Sequence, residues 1–447
     1  MLEEIDKKEK KKIHNAWAFY DWANSVYPLV ITTAVFPIFY NNNVYHFIEK
    51  VTYNGITTEA KFVNFFGLKF VNTALISWVV GAYFLLLVLL LPVLSGIADY
   101  SGRKKEFLRI FAYIGSISCM LLYFFDKNHL EWSMLTFAMA GIGFWGSLVF
   151  YNAFLPEIAS KEEQDKLSAK GFALGYFGSS LLLIACLAYI MTRANDQAKG
   201  EAIRWTFVIT GIWWFALSHI TFTIVPERTR KSVVNKAIIN KGLRELKKVW
   251  QEAKASKTLI RYIRAFFTYS MAVQTIMMMA VYFGMNEITW SSESAGTVGL
   301  IVSVLLIQLI AIPGAIGLSK IAAKIGNKKA LILVLSLWVV LSIGAYFIHT
   351  PMGFYVVAGF VGLVMGGTQS LSRSTYSKLL PKNTKDTSSY FSLYDITEKI
   401  GIVIGMLLYG MVIQITGSTR LAIAGLAIIF IMGIILLARM PKLDSKN

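Results

Sequence analysis

Only two of the 447 residues are cysteine and five are histidine, and charged side chains make up 16%, where a soluble domain carries about 25%. Cys119 and Cys186 both fall inside apolar stretches. They read as small core residues, which excludes a disulfide framework and a thiolate metal site. The histidines are scattered, and His219 alone lies well inside an apolar run. With no second ligand at metal spacing it reads as a packed core histidine, and no metal or other cofactor is expected. No glycine-rich loop ending in Lys-Ser/Thr follows a strand pattern, which argues against nucleotide hydrolysis as an energy source. No nucleophile is paired with a base, so an enzyme is not expected. The N-terminal run Lys7-Lys8-Glu9-Lys10-Lys11-Lys12 precedes a helix too long and too polar for a signal-peptide core, so no cleavable leader is expected.

What is present is apolar length. Hydrophobic residues make up 55% of the chain, with 11 Trp, 21 Tyr and 30 Phe, a composition suited to lipid with aromatic belts at its two interfaces. A helix needs about 20 mostly apolar residues to cross a bilayer. Twelve stretches qualify, near 17–41, 71–95, 107–125, 132–156, 171–192, 204–225, 262–285, 297–318, 330–348, 352–377, 390–415 and 421–439. In hydrocarbon every backbone polar group must be satisfied internally, so these runs read as helices. The fold class is therefore an all-α integral membrane protein of twelve transmembrane helices. Its expected organisation is a six-helix bundle over 1–225, a basic linker over 226–261 and a second six-helix bundle over 262–447.

The net charge of +18 is spread in short clusters between the apolar runs, without the single basic face of a nucleic-acid binder. Counted by loop, 34 Lys and Arg fall on the side of the N-terminus and 8 on the other. Basic residues are retained in the cytoplasm, so both termini are expected there, in a multi-pass protein of the cell's inner or plasma membrane. The expected partners are membrane lipids and a small solute, with no nucleic acid, and the chain is expected to be a monomer. The linker pattern Val233, Ala237, Leu243, Leu246, Val249, Trp250 is helical and amphipathic, suiting a helix on the membrane surface.

The halves resemble each other. Tyr151 and Pro156 match Tyr376 and Pro381, Gly102-Arg103-Lys104-Lys105 matches Gly326-Asn327-Lys328-Lys329, and Gly175-x-x-x-Ser179 matches Gly401-x-x-x-Gly405, each at an offset near 225. Six helices per half in the same sense make a parallel repeat about an axis along the membrane normal. Such a pair of bundles suits a transporter that rocks about a central seam.

Ionic and amide side chains inside spans are costly, so each is a site candidate. Tyr20-Asp21-Trp22-Ala23-Asn24-Ser25 in the first helix sets Asp21, Asn24, Ser25 and Pro28 on one face. Pro28 is expected to loosen the turn before it. In the tenth helix Gln369, Ser372, Arg373 and Tyr376 share a face, and Arg373 needs a carboxylate, with Asp21 and Asp395 as the expected partners. Tyr394 and Asp395 open the eleventh helix, where Glu398 and Lys399 suit a structural role beside Asp395. Tyr151, Asn152 and Gln274 add neutral hydrogen-bonding candidates. The expected solute pathway thus comprises Tyr20, Asp21, Asn24, Tyr151, Asn152, Gln274, Gln369, Arg373, Tyr394 and Asp395. Gly362-x-x-x-Gly366 and Gly401-x-x-x-Gly405 read as close helix packing.

The loop Gly96-Ile97-Ala98-Asp99-Tyr100-Ser101-Gly102-Arg103-Lys104-Lys105 resembles the signature between helices 2 and 3 of the major facilitator superfamily. That resemblance implies the major facilitator fold, with Asp99, Gly102 and Arg103 gating the cytoplasmic side against helix 11. Ala323 stands where the second half would carry the carboxylate, so the latch is expected on one side only. Tyr20–Ser25, Tyr151–Glu157, Gly175–Gly178, Gly366–Ser374 and Phe391–Asp395 together resemble the vacuolar effluxer-like family, whose fungal members are linked to autophagy and amino-acid export. Where that family often shows Tyr-Asn-Asp-Gly, this chain has Tyr269-Ser270-Met271-Ala272. The resemblance implies a secondary transporter for a small polar solute, such as an amino acid or related metabolite, working by alternating access. The alternative on the same fold is a non-transporting receptor or a lipid translocator.

Overall fold

In the computed structural model, twelve helices among the described residues are long and apolar enough to cross a bilayer. The structure describes residues 6–53, 56–227, 236–381, 384–416 and 418–441. The first six spans are Lys7–Asn41, Ala74–Ser101, Lys104–Phe124, Lys127–Ile158, Lys161–Met191 and Gln197–Ile224. The second six are Lys257–Glu287, Val298–Ile325, Asn327–Ala345, Pro351–Leu379, Thr387–Thr416 and Thr419–Ala438. They fall on the twelve expected stretches and mostly run longer, because polar turns continue the helices beyond the hydrocarbon. Twelve crossings bring the first and last described residues, Asp6 and Pro441, to one face.

Span 1 is not a uniform helix. An α-helix over Lys7–Asn24 gives way to a π-helical segment, Tyr27–Val35, before α-helix resumes at Phe36–Asn43. Pro28 lacks an N–H, and its own carbonyl accepts the hydroxyls of Thr32 and Thr33, each at 2.7 Å. The loosening therefore follows the proline, where the turn before it was expected to yield, as π-bulges tend to do at functional positions.

Between spans 1 and 2 stands a small antiparallel sheet, β1 (Phe47–Tyr53), β2 (Ile56–Phe65) and β3 (Leu68–Val71), in that order. It departs from the all-helical expectation. The register pairs Phe47 with Phe62 and Phe62 with Val71. Lys69 covers the stacked rings of Phe47 and Phe62, at 5.0 and 4.3 Å, and pairs with Glu49 at 2.5 Å.

The internal repeat has a matched pair of arginine staples at the face opposite the termini. Arg204 of span 6 donates to the carbonyls of Tyr123 and Phe125 at 2.6 and 2.8 Å and lies over the ring of Phe39. Arg420 of span 12 donates to the carbonyls of Tyr346 and Ile348 at 2.9 and 2.5 Å and lies over Phe283. In each half the last helix thus ties the loop between its third and fourth helices to the first. Spans 8 and 10 touch at their backbones. A Cβ at Gly362 would fall 2.4 Å from the carbonyl oxygen of Ile307, and one at Gly366 would fall 2.2 Å from that of Ala311. The glycine spacing here is packing, as expected.

The linker contains a helix, Lys236–Ala255. It packs chiefly on span 2, and also on spans 7 and 11, with Val249 and Ala253 fully buried. The helix expected on the membrane surface thus sets Val249 and Ala253 against the protein and leaves Trp250 41% exposed. Of the expected apolar stripe, Val233 and the side chains of Ala237, Leu243 and Leu246 lie outside what is described.

Candidate functional site

A dense ionic cluster crosses the seam between the halves. Asp21 of span 1 is 4% exposed and Arg373 of span 10 is 3% exposed, so neither charge has water to stabilise it. They stabilise each other: Asp21 Oδ2 accepts from Arg373 Nη1 at 3.1 Å and Nη2 at 3.2 Å, and from Tyr151 Oη at 2.8 Å. Arg373 Nε donates to Ser168 Oγ at 2.9 Å, Nη2 to the Ser168 carbonyl at 2.9 Å, and Nη1 to Asn152 Oδ1 at 3.3 Å. The guanidinium lies over Phe172 at 4.1 Å and Trp17 at 5.0 Å. A charge in such a place is held by geometry from several helices at once.

Span 5 approaches this closely because residue 171 is glycine. A Cβ there would fall 2.4 Å from Asp21 Oδ2 and 3.0 Å from Arg373 Nη2. Above and below, Tyr176 donates to Gln369 Oε1 at 2.6 Å and Ser168 to the Ser370 carbonyl at 2.8 Å, joining spans 5 and 10.

Of the residues expected to line the pathway, Asp21, Tyr151, Asn152 and Arg373 are thus brought together, with Gln369 alongside. Tyr20 and Asn24 are not part of that group. Tyr20 packs between Tyr151 and Phe222 within the first half, and Asn24 Oδ1 takes a long hydrogen bond from Ser25 at 3.4 Å. Tyr394 stacks on Phe266 at 4.1 Å in the second half. Asp395 pairs with Lys399 at 2.5 Å, one turn along its own helix, so the expectation of Asp395 as a partner for Arg373 is corrected. Gln274 donates to Glu398 Oε1 at 2.8 Å. Lys399 is fully buried, and its ammonium lies 4.7 Å from the Trp145 ring of span 4 and 5.8 Å from Phe84 of span 2. This second cluster also faces the seam. His219 is packed between Tyr113 Oη at 2.9 Å and the Phe215 carbonyl at 2.8 Å.

At the face bearing the termini, Asp99 of span 2 receives the backbone N–H of Ser388 at 3.0 Å and of Ser389 at 2.7 Å. A carboxylate here sits at the positive end of span 11. Gly102 ends span 2 in the left-handed conformation, φ 72°. The basic residue that reaches Asp99 is Lys104, where Arg103 was expected. Lys104 Nζ lies 3.2 Å from Asp99 and 2.5 Å from Thr387 Oγ1, and it also pairs with Glu157. Among the described residues Arg103 pairs with Glu106 alone, at 3.6 Å and half-exposed. The one-sided latch is also corrected. Asn327, at the repeat position of Arg103, donates to Asp165 Oδ1 at 2.7 Å, and Lys378 meets Asp165 Oδ2 at 2.5 Å. The second half therefore borrows its carboxylate from span 5 of the first. Nearby, Glu227 lies outside the spans and accepts the Lys105 N–H at 2.6 Å. Its burial pushes the carboxyl above its ordinary range, and that N–H with the Lys105 charge opposes the rise.

Residues 9–447 match the family model described as Vacuole effluxer Atg22 like. The chain is 30% identical over 441 residues to the MFS-type transporter YxiO of Bacillus subtilis, covering 98% of this chain and 96% of that one. It is 24% identical over 384 residues to Autophagy-related protein 22 of Pichia angusta, covering 73% and 67%. In fold it is similar to the major facilitator transporter FucP in the outward conformation, with a TM-score of 0.67, 11% identity and coverage of 97% and 98%.

Proposed function

The chain belongs to the Atg22-like vacuole effluxer family of major facilitator transporters, and from that premise we propose that it moves a small polar solute bearing an ammonium group by alternating access. The observation that carries this reading is the buried Asp21–Arg373 pair across the seam. Neither charge belongs to the same half as its partner, so the halves cannot part there without separating a desolvated ion pair. That step is costly unless the solute takes over one side of it. The solute class is supported by the second cluster. Among the described residues Asp395 and Glu398 face one cation, Lys399, leaving one carboxylate whose partner is the neutral Gln274 amide. A solute ammonium would complete that charge balance.

We read the face bearing the termini as cytoplasmic, on the asymmetry of basic residues, in the cell's inner or plasma membrane. The Asp99, Lys104 and Asp165 contacts then hold the cytoplasmic side shut. A lipid translocator would call for an apolar lateral opening, whereas the seam is ionic. The test is uptake of radiolabelled L-amino acids into proteoliposomes of the purified protein. Arg373→Gln and Asp21→Asn are each expected to lower the rate at least tenfold. An Arg373→Gln protein with wild-type rate and apparent affinity would overturn the assignment.

A further inference from the structure

The linker helix, which the solute pathway does not use, has a specific geometry of its own. It ends one residue before span 7, where Ser256 caps that span through the Leu259 N–H at 3.3 Å, so its end is fixed to the second half. Its buried side chains Val249 and Ala253 stand one turn apart, and the helix packs chiefly on span 2, in the first half. On its flank Glu252 Oε2 accepts from Tyr390 Oη at 2.8 Å, and Lys248 reaches Asp386 at 3.0 Å. Asp386 and Tyr390 bracket the opening turn of span 11, since the Tyr390 N–H donates to the Asp386 carbonyl at 3.1 Å. That turn is the one whose N–H groups Asp99 holds from span 2.

We infer that the linker helix is a strap across the gate, with Glu252 and Lys248 as positioning residues that hold the first turn of span 11 against span 2. The inference rests on the reading that this face opens during transport. Opening carries span 11 away from span 2. The strap is joined to spans 7 and 11 on one side and buried on span 2 on the other, so it must peel from span 2 and expose Val249 and Ala253. Contacts made only in the closed state bias the equilibrium by their whole worth.

Ser377, buried near the end of span 10 with no hydrogen-bond partner for its hydroxyl among the described residues, provides a reporter. In Ser377→Cys protein the rate of alkylation by a charged maleimide measures opening, against the background of the buried Cys119 and Cys186. Tyr390→Phe removes the Glu252 hydrogen bond alone, and Val249→Ser weakens the grip on span 2. Each is expected to raise the rate about five- to tenfold. Asp99→Asn is the control for the gate itself. Unchanged rates in both strap variants, with a raised rate in Asp99→Asn, would sink the strap and leave the transport cycle standing. Unchanged rates in all three would sink the reading of this face as a gate, and the strap with it. If Val249→Ser fails to fold, Tyr390→Phe decides alone.

Discussion

Arg373 shows how far a single residue can be read and where reading stops. An arginine in the middle of an apolar run needs a carboxylate, and only Asp21 and Asp395 were at hand, so the pair was half-legible from the sequence. Which of the two it would be was not, because Asp395 has a cation four residues along its own helix and spacing alone cannot rank that against a partner across the seam. The choice of Lys104 over Arg103 was equally out of reach. It turns on how the chain leaves the left-handed Gly102, with Arg103 at φ −104° before span 3 begins. A prediction follows at this scale. Arg373→Gln leaves the Asp21 carboxylate buried against Tyr151 without its counter-ion, and removing one partner of a buried pair costs about 3–5 kcal/mol. Arg373→Gln and Asp21→Asn should each lower the thermal unfolding midpoint in detergent markedly, and the double variant should recover part of the loss. Additive losses in the double variant would mean that the two residues do not act as a pair.

At the level of elements, apolar length made the twelve spans legible, whereas their irregularities depend on local hydrogen bonding. The three-stranded sheet carried a usable signal. Phe47-Ile48-Glu49-Lys50-Val51-Thr52-Tyr53 is rich in β-formers, and Asn54-Gly55 after it is a hairpin dipeptide. The arginine staples carried a subtler one, as the basic residue set into the start of the last helix of each half. Arg420 offers the clearer test, since it also donates to the Glu287 carbonyl and carboxylate, each at 2.6 Å. Arg420→Met should strand several carbonyls at the ends of spans 7 and 9. With the site partly exposed to solvent, the expected destabilisation is about 2 kcal/mol, and Arg204→Met, with fewer bonds, about half of that. Unfolding curves that leave Arg420→Met at the wild-type midpoint would show that the staple carries no stability.

Across the whole molecule the polar contacts that join the halves are not evenly distributed. Asp99 with Ser388 and Ser389, Lys104 with Thr387, and Asp165 with Asn327 and Lys378 all lie toward the face bearing the termini, with Asp21 and Arg373 deeper in the seam. On the opposite face, the arginine staples bind each half to itself. On the proposed reading such contacts hold one end shut while each half moves as an intact body, which is what rigid-body rocking requires. If the halves are bodies of this kind, the covalent link between them is dispensable for their association. Residues 1–230 and 231–447, expressed together as separate chains, are expected to co-purify, with the ionic contacts supplying a measurable share of the association. Adding Asp99→Asn with Asp165→Asn should lower the recovered partner several-fold, because both latches lose their carboxylate while the staples inside each half are untouched. Co-purification unaffected by those two substitutions would shift the association onto apolar packing between spans 2 and 11 and between spans 5 and 8, and would remove the latches from the account of what holds this face closed.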